Sequence, residues 1–294
     1  MHHTIESPYS RYFTTNDGVR LHYRVSGKED GDAVILLPGW TGDTSVFHRN
    51  YPALNEHFRV YALDYRCHGL SDSPDYGFRT SRFAMDLKEM IDHIGLEKFS
   101  IVAHSMGNAV AWCYISLFGE DKIRKIVIED EAPCLIANPA WTEEEDELYT
   151  GGAQKKNNFW DLITALEESW EKAFSIFGEY FPMHKACPPF PEYHYEEADP
   201  APVGLGELDN LKHARILQDH MTNDWRDVIP RITSPVLVIA GEASHLSTPK
   251  TCAWYREQLQ DGRVVFISAE DYGVHEMHLY SPEIFNRQVI DFLK

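Results

Sequence analysis

A mostly parallel α/β sheet with helices on both faces is the fold class that this sequence predicts. Three observations carry the prediction. Short, continuous apolar runs rich in β-branched residues recur along the chain, segments of helical period separate them, and a small-x-Ser-x-Gly turn joins one run to one such segment.

The alternating segments Tyr9–Thr15 and Val19–Val25 flank Asn16-Asp17-Gly18, the signature of a hairpin. Ala33–Leu37, Arg59–Leu63, Ser100–Ala103, Lys125–Ile128 and Val236–Ala240 read as buried parallel strands, because these runs do not alternate. Phe83, Leu87, Met90, Ile91 and Ile94 recur at helical spacing just before Gly95, and such strand–helix units build a sheet with crossovers on either face. The rhythm stops between about Cys134 and Pro230, a span too long for a strand connection, so an insertion with its own helices is expected there. Thr142 with Glu145 matches a capping box, and the acidic run Glu143–Glu147 suits a helix start. Leu162, Leu166, Trp170, Phe174 and Phe177 mark one further amphipathic helix. Pro182, Pro188, Pro189 and Pro191 exclude regular structure after it, and a third helix is expected from Leu208 to about Met221. Beyond Pro230 the strand–helix order returns with Arg263–Ile267, and a helix from Pro282 to Leu293 ends the chain. Residues 1–133 and 231–294 therefore form the core, and 134–230 the insertion.

At 294 residues the chain suits one large domain, or a core with an inserted subdomain. Its formal charge of −19, from 27 basic and 46 acidic residues, repels phosphate backbones and anionic headgroups, so neither nucleic acid nor membrane is an expected partner. The apolar run Ala33–Leu37 is five residues long, far short of a spanning segment, and no secretory signal is read; a cytoplasmic location is expected. Cys67, Cys113, Cys134, Cys187 and Cys252 are odd in number and lack metal-ligand spacing, which fits free thiols in a reducing compartment. A small-molecule substrate is the expected partner, and a homodimer is compatible with the sequence.

Ala103-His104-Ser105-Met106-Gly107 follows the strand Ser100–Val102 and precedes the helix-like stretch Asn108–Phe118. In that context the pattern forms a nucleophile elbow, whose tight turn demands small flanking residues and projects the serine hydroxyl from the sheet edge. Serine needs an imidazole to take its proton, and the imidazole needs a carboxylate to fix its tautomer. His275 is the candidate base, on a loop at the carboxyl edge between the strand Arg263–Ile267 and the final helix; His278 is the alternative. The chain order Ser, acid, His places a carboxylate after Val236–Ala240, but the sequence there is Gly241-Glu242-Ala243-Ser244, with serine where an aspartate is sought. Asp130, one strand earlier, is preferred, followed by Glu129 and then Glu242; of Asp130 and Glu129 only one faces the imidazole. Backbone N–H groups of Met106 and Trp40, the latter in the turn Pro38-Gly39-Trp40-Thr41-Gly42, are the expected oxyanion donors. Trp40, His104, Trp141 and Trp160 are the candidate substrate contacts. His275 to His278, and His213 with His220, lack H-E-x-x-H spacing, so no metal and no cofactor is expected.

On these residues the chain resembles the α/β-hydrolases, in particular the compact serine esterases, lactonases and cofactor-free haloperoxidases, over nearly its whole length. Pro38-Gly39-Trp40 resembles the family's His-Gly-x oxyanion turn, and Asp64-Tyr65-Arg66-Cys67-His68-Gly69-Leu70-Ser71 resembles its D-x-R-G-x-G-x-S segment, with cysteine at a usual glycine. Ser105 and His275 match the nucleophile and base, and Asp130-Glu131-Ala132-Pro133 is similar to the end of the sixth strand, where some members carry the triad acid. The resemblance implies an α/β-hydrolase fold with an eight-stranded sheet and a helical cap over residues 134–230. It implies hydrolysis of a neutral or apolar ester or lactone through an acyl-enzyme on Ser105. The alternatives are carbon–carbon bond hydrolysis, perhydrolysis of the haloperoxidase type, cyanohydrin cleavage, or a non-catalytic ligand receptor on the same scaffold. Serine at the elbow argues against the aspartate-nucleophile dehalogenases and epoxide hydrolases.

Overall fold

A computed structural model describes residues 7–150, 158–180, 185–190 and 207–294. The hairpin forms as expected: β1 (Ser10–Thr14) pairs antiparallel with β2 (Arg20–Gly27) around Gly18, whose φ of 85° needs glycine. The apolar runs become β3 (Ala33–Leu37) and, after the short helix α1 (Tyr51–Asn55), β4 (Arg59–Leu63). Helix α2 (Thr80–Ile94) buries Phe83, Leu87, Met90 and Ile91 and stops at Gly95, which takes the left-handed conformation. Then come β5 (Phe99–His104), α3 (Met106–Phe118) and β6 (Ile123–Glu129).

After β6 the chain leaves the sheet through α4 (Glu143–Thr150), α5 (Asn158–Glu168), α6 (Trp170–Tyr180) and α7 (Asn210–Met221). The Thr142–Glu145 capping box closes in both directions, Thr142 N–H donating to Glu145 and Glu145 N–H to Thr142 Oγ1. The single helix expected over Leu162–Phe177 is two. It breaks at Ser169, whose hydroxyl accepts the Lys172 N–H and so starts α6 afresh. Pro188 and Pro189 are free of regular structure, whereas Pro182 and Pro191 lie outside the described residues. The two ends of this excursion meet: Cys134 bridges Asp224, and Trp225 N–H donates to the Pro133 carbonyl at 2.9 Å.

The chain re-enters the sheet at β7 (Val236–Gly241), continues through α8 (Pro249–Gln258) and β8 (Gly262–Ile267), and ends in α9 (Met277–Tyr280) and α10 (Pro282–Leu293). The strand order is β1-β2-β4-β3-β5-β6-β7-β8, antiparallel as far as β4 and parallel from there on. Apolar clusters cover both faces, one built on α2 and α3 and the other on α1 and α10. A third joins Phe159, Leu162 and Leu166 of α5 to Leu217 and Met221 of α7, with Trp40 and Leu246 from the sheet loops packed against it. The helices of the excursion thus sit on loops at the carboxyl ends of the strands. Among the described residues no helix is long and apolar enough to cross a membrane.

Candidate active site

Five non-glycine residues among those described have positive φ: Thr41, Cys67, Ser105, Asp130 and Tyr272. Each lies on a loop leaving the carboxyl end of a parallel strand or of its neighbour β4, so backbone strain collects along one edge of the sheet. Ser105 holds φ 51° and ψ −127° between β5 and α3. Two close approaches enforce the bend. A Cβ on Gly107 would collide with the Leu37 carbonyl, and a Cβ on Gly39 would stand 3.0 Å from that of Ser105. The Gly39 turn therefore lies directly against the serine. Backbone N–H groups of Trp40 and Met106 have no acceptor among the described residues, which leaves two donors beside that turn.

His275 Nδ1 lies 2.7 Å from Asp130 Oδ2, so in the neutral ring the proton sits on Nδ1, facing the carboxylate, and the lone pair is on Nε2. The imidazole side chain is 31% exposed and the carboxylate is buried. Burial pulls the His275 pKa down, but the hydrogen bond and charge of Asp130, with Glu276 and Glu131 behind them, outweigh it and push the value up to about 9. Ser244 occupies the position after β7 where the Ser, acid, His order calls for an aspartate, and its hydroxyl donates to the same Asp130 oxygen. Ser105 Oγ forms no hydrogen bond among the described residues. The serine–imidazole contact is the one link of the trio that the geometry leaves open.

The remaining candidate acids are engaged elsewhere. Glu129 is buried and accepts from His278 twice, at 2.8 Å from the backbone N–H and 2.9 Å from Nδ1. The alternation at the end of β6 thus sends the two carboxylates to two different histidines. Glu242 is exposed and accepts from the Ala269 N–H. The ring of His104 is held between those of His275 and His278, with centroids 4.6 and 4.7 Å away, and its Nε2–H donates to the His275 carbonyl at 3.0 Å. Burial and the two neighbouring imidazoles hold His104 well below the usual histidine range, hence neutral. His104, Glu129 and His278 offer ligating atoms within 4.8 Å of one another, but hydrogen bonds already use Nε2 of His104 and Nδ1 of His278.

Trp40 is a wall between the sheet and the helices above it: its indole donates to the His213 carbonyl at 3.0 Å, and its ring meets Trp170 at 5.6 Å and Phe177 at 6.1 Å. Trp141 instead packs on Tyr149 beneath the Arg226 guanidinium, and Trp160 is 58% exposed, its ring against Phe159. Two histidines that the sequence reading did not place as site residues lie beside Trp40. His68 accepts the Thr41 N–H on Nε2 and stands 4.8 Å from His213, ring to ring. Burial first, then the neighbouring His213, depress its pKa to about 3. The Asp64–Ser71 segment serves the loops: Asp64 accepts from Thr44 N–H at 2.6 Å and Leu70 N–H at 2.9 Å, while Arg66 is buried against Asp86.

A family model for the α/β hydrolase fold matches residues 32–276. The chain belongs to that family. This α/β-hydrolase is 28% identical over 283 residues to serine hydrolase BPHL of Mus musculus, covering 95% of this chain and 84% of that protein. It is 26% identical over 278 residues to 2-(acetamidomethylene)succinate hydrolase of Mesorhizobium japonicum, covering 93% and 92%. An esterase from Exiguobacterium antarcticum superposes on the α/β-hydrolase with a TM-score of 0.75 at 21% identity, covering 96% of this chain and 98% of that one, a likeness of fold.

Proposed function

We propose that the protein is a serine hydrolase that cleaves a neutral or apolar carboxylic ester or lactone. The observation that carries the reading is the shared edge: Ser105, strained at the end of β5, stands on the loop side where His275 is hydrogen-bonded to Asp130 at 2.7 Å. In this reading Ser105 Oγ attacks the carbonyl carbon while His275 Nε2 takes its proton, and Asp130 holds the imidazole in the required tautomer. The tetrahedral oxyanion is met by Trp40 and Met106 N–H. It collapses as His275 protonates the departing alcohol, and water, activated by the same imidazole, releases the acid from Ser105. Residues 134–230 act as a cap over the site. Family membership and the hydrolases among the relatives support this assignment.

Hydrolysis of a short-chain p-nitrophenyl ester tests it. Wild-type protein should turn the ester over, and Ser105→Ala should lose about 10⁶ in kcat. Equal rates from the two proteins would reject the reading.

A further inference from the structure

The underside of α7 carries polar atoms that find no hydrogen bond among the described residues. His213 is fully buried; its Nδ1–H donates to the Asp209 carbonyl at 2.9 Å, so Nε2 is a lone-pair acceptor, and it has no partner among the described residues. Two turns on, His220 brings Nε2 to 3.5 Å from Glu131 Oε2, yet among the described residues neither Glu131 Oε2 nor His220 Nδ1 makes a hydrogen bond. A carboxylate at that distance favours the proton on Nε2, which leaves Nδ1 an acceptor as well. Glu131 is 1% exposed and His220 5%. With that proton turned to Glu131, His220 Nδ1 and His213 Nε2 are left as acceptors beside the Glu131 carboxylate, and buried acceptors of this kind call for a donor.

Position ties these atoms to the proposed chemistry. His213 lies over the Trp40 turn, and Glu131 directly follows Asp130. Since β5 runs between β3 and β6, α7 crosses from the loop of β3 to the end of β6 over the strand that leads into Ser105. The seven residues from His213 to His220 rise about 10.5 Å, close to two strand spacings of about 4.8 Å each. The helix and the sheet edge beneath it are thus matched in length.

We propose that Glu131 and His220 form a subsite for a hydrogen-bond-donating group of the substrate, a hydroxyl or an ammonium, carried a few atoms from the scissile carbonyl. The inference rests on the serine-hydrolase reading. A purely hydrocarbon substrate would bury the acceptors without satisfying them, and a site built this way discriminates against the analogue that lacks the donor. The carboxylate of Glu131 adds Coulombic attraction for an ammonium that a hydroxyl does not exploit.

The test compares kcat/KM for short esters of matched length that carry a hydroxyl, an ammonium or only a methyl at the same position, on the acyl side and on the alcohol side. At least one donor-bearing ester should be preferred over its methyl counterpart by about tenfold or more. In Glu131→Gln an ammonium preference should fall to near unity. In His220→Phe a hydroxyl preference should do the same, with thermal unfolding verifying that each variant is folded. Should one variant fail to fold, the specificity ratio in the other decides. Wild-type protein that favours the methyl esters, or a preference unmoved in the folded variants, would overturn the subsite while leaving the hydrolase intact. Failure of every ester, with no fluorophosphonate labelling of Ser105, would instead remove the hydrolase reading and the subsite with it.

Discussion

The Ser244 hydroxyl donates to Asp130 Oδ2, the oxygen that also accepts Nδ1 of His275. The end of β7 thus supplies a hydroxyl, and the end of β6 supplies the carboxylate that it touches. A donor on a carboxylate stabilises its ionised form and draws charge away from the imidazole. Ser244→Ala should therefore lower kcat/KM by about tenfold, in line with a hydrogen bond to a charged group, and should move the acidic limb of the pH profile upward. Ser244→Thr, which keeps the hydroxyl, should restore both. A pH profile unchanged in the alanine variant would show that the contact does not reach the imidazole.

Asp130 sets the protonation of His275. As a base the imidazole must be neutral, so kcat/KM should rise with pH through a midpoint above the ordinary 6.5, toward about 9. Asp130→Asn should lower kcat by about 10⁴ through the wrong tautomer. It should also move the midpoint down, since burial then acts with less opposition. The pair is linked to stability with the same sign. A raised folded pKa contributes stability in full below 6.5 and loses it as pH rises through about 9. The gap in Tm between wild type and Asp130→Asn should accordingly narrow across that window, and a gap that widened would contradict the assigned direction.

Glu129 serves the fold. Its carboxylate and the His278 ring are both buried and hydrogen-bonded to each other. Glu129→Ala leaves that histidine unpaired in the interior and should cost about 3 kcal/mol of unfolding free energy in denaturant titration. Denaturation midpoints equal to wild type, with hydrolysis abolished, would return Glu129 to the catalytic machinery.

Much of this was readable from residue patterns, for reasons particular residues make plain. The runs Ala33–Leu37 and Arg59–Leu63 coincide with β3 and β4 because a buried parallel strand must be apolar on both faces. The elbow was legible because its bend tolerates only small neighbours, as the contact of Gly107 with Leu37 demonstrates. The break at Ser169 was not, since the apolar stripe runs through it and only the cap to Lys172 marks the new start. Nor was the partnership of Ser244 with Asp130, or of His220 with Glu131, because such pairs meet across 114 and 89 positions of sequence through the docking of strands and α7. Trp160 shows the converse: sequence offers it as a candidate substrate contact without giving its facing, and on α5 it is 58% exposed with its ring against Phe159.

Gly107 offers a purely steric check on the elbow. Gly107→Ala must push against the Leu37 carbonyl and that of Pro38. It should destabilise the protein by about 1–3 kcal/mol and displace Ser105, lowering ester hydrolysis more than stability alone explains. A variant as stable and as active as wild type would show that the bend has slack.

Ser105 as the attacking group is tested most directly by intact-protein mass spectrometry after treatment with a fluorophosphonate. Wild-type protein should gain one phosphonyl adduct that maps to Ser105 and lose ester hydrolysis in parallel, and Ser105→Ala should gain none. An unlabelled wild type, or an adduct mapped to another residue while hydrolysis persists, would contradict the account.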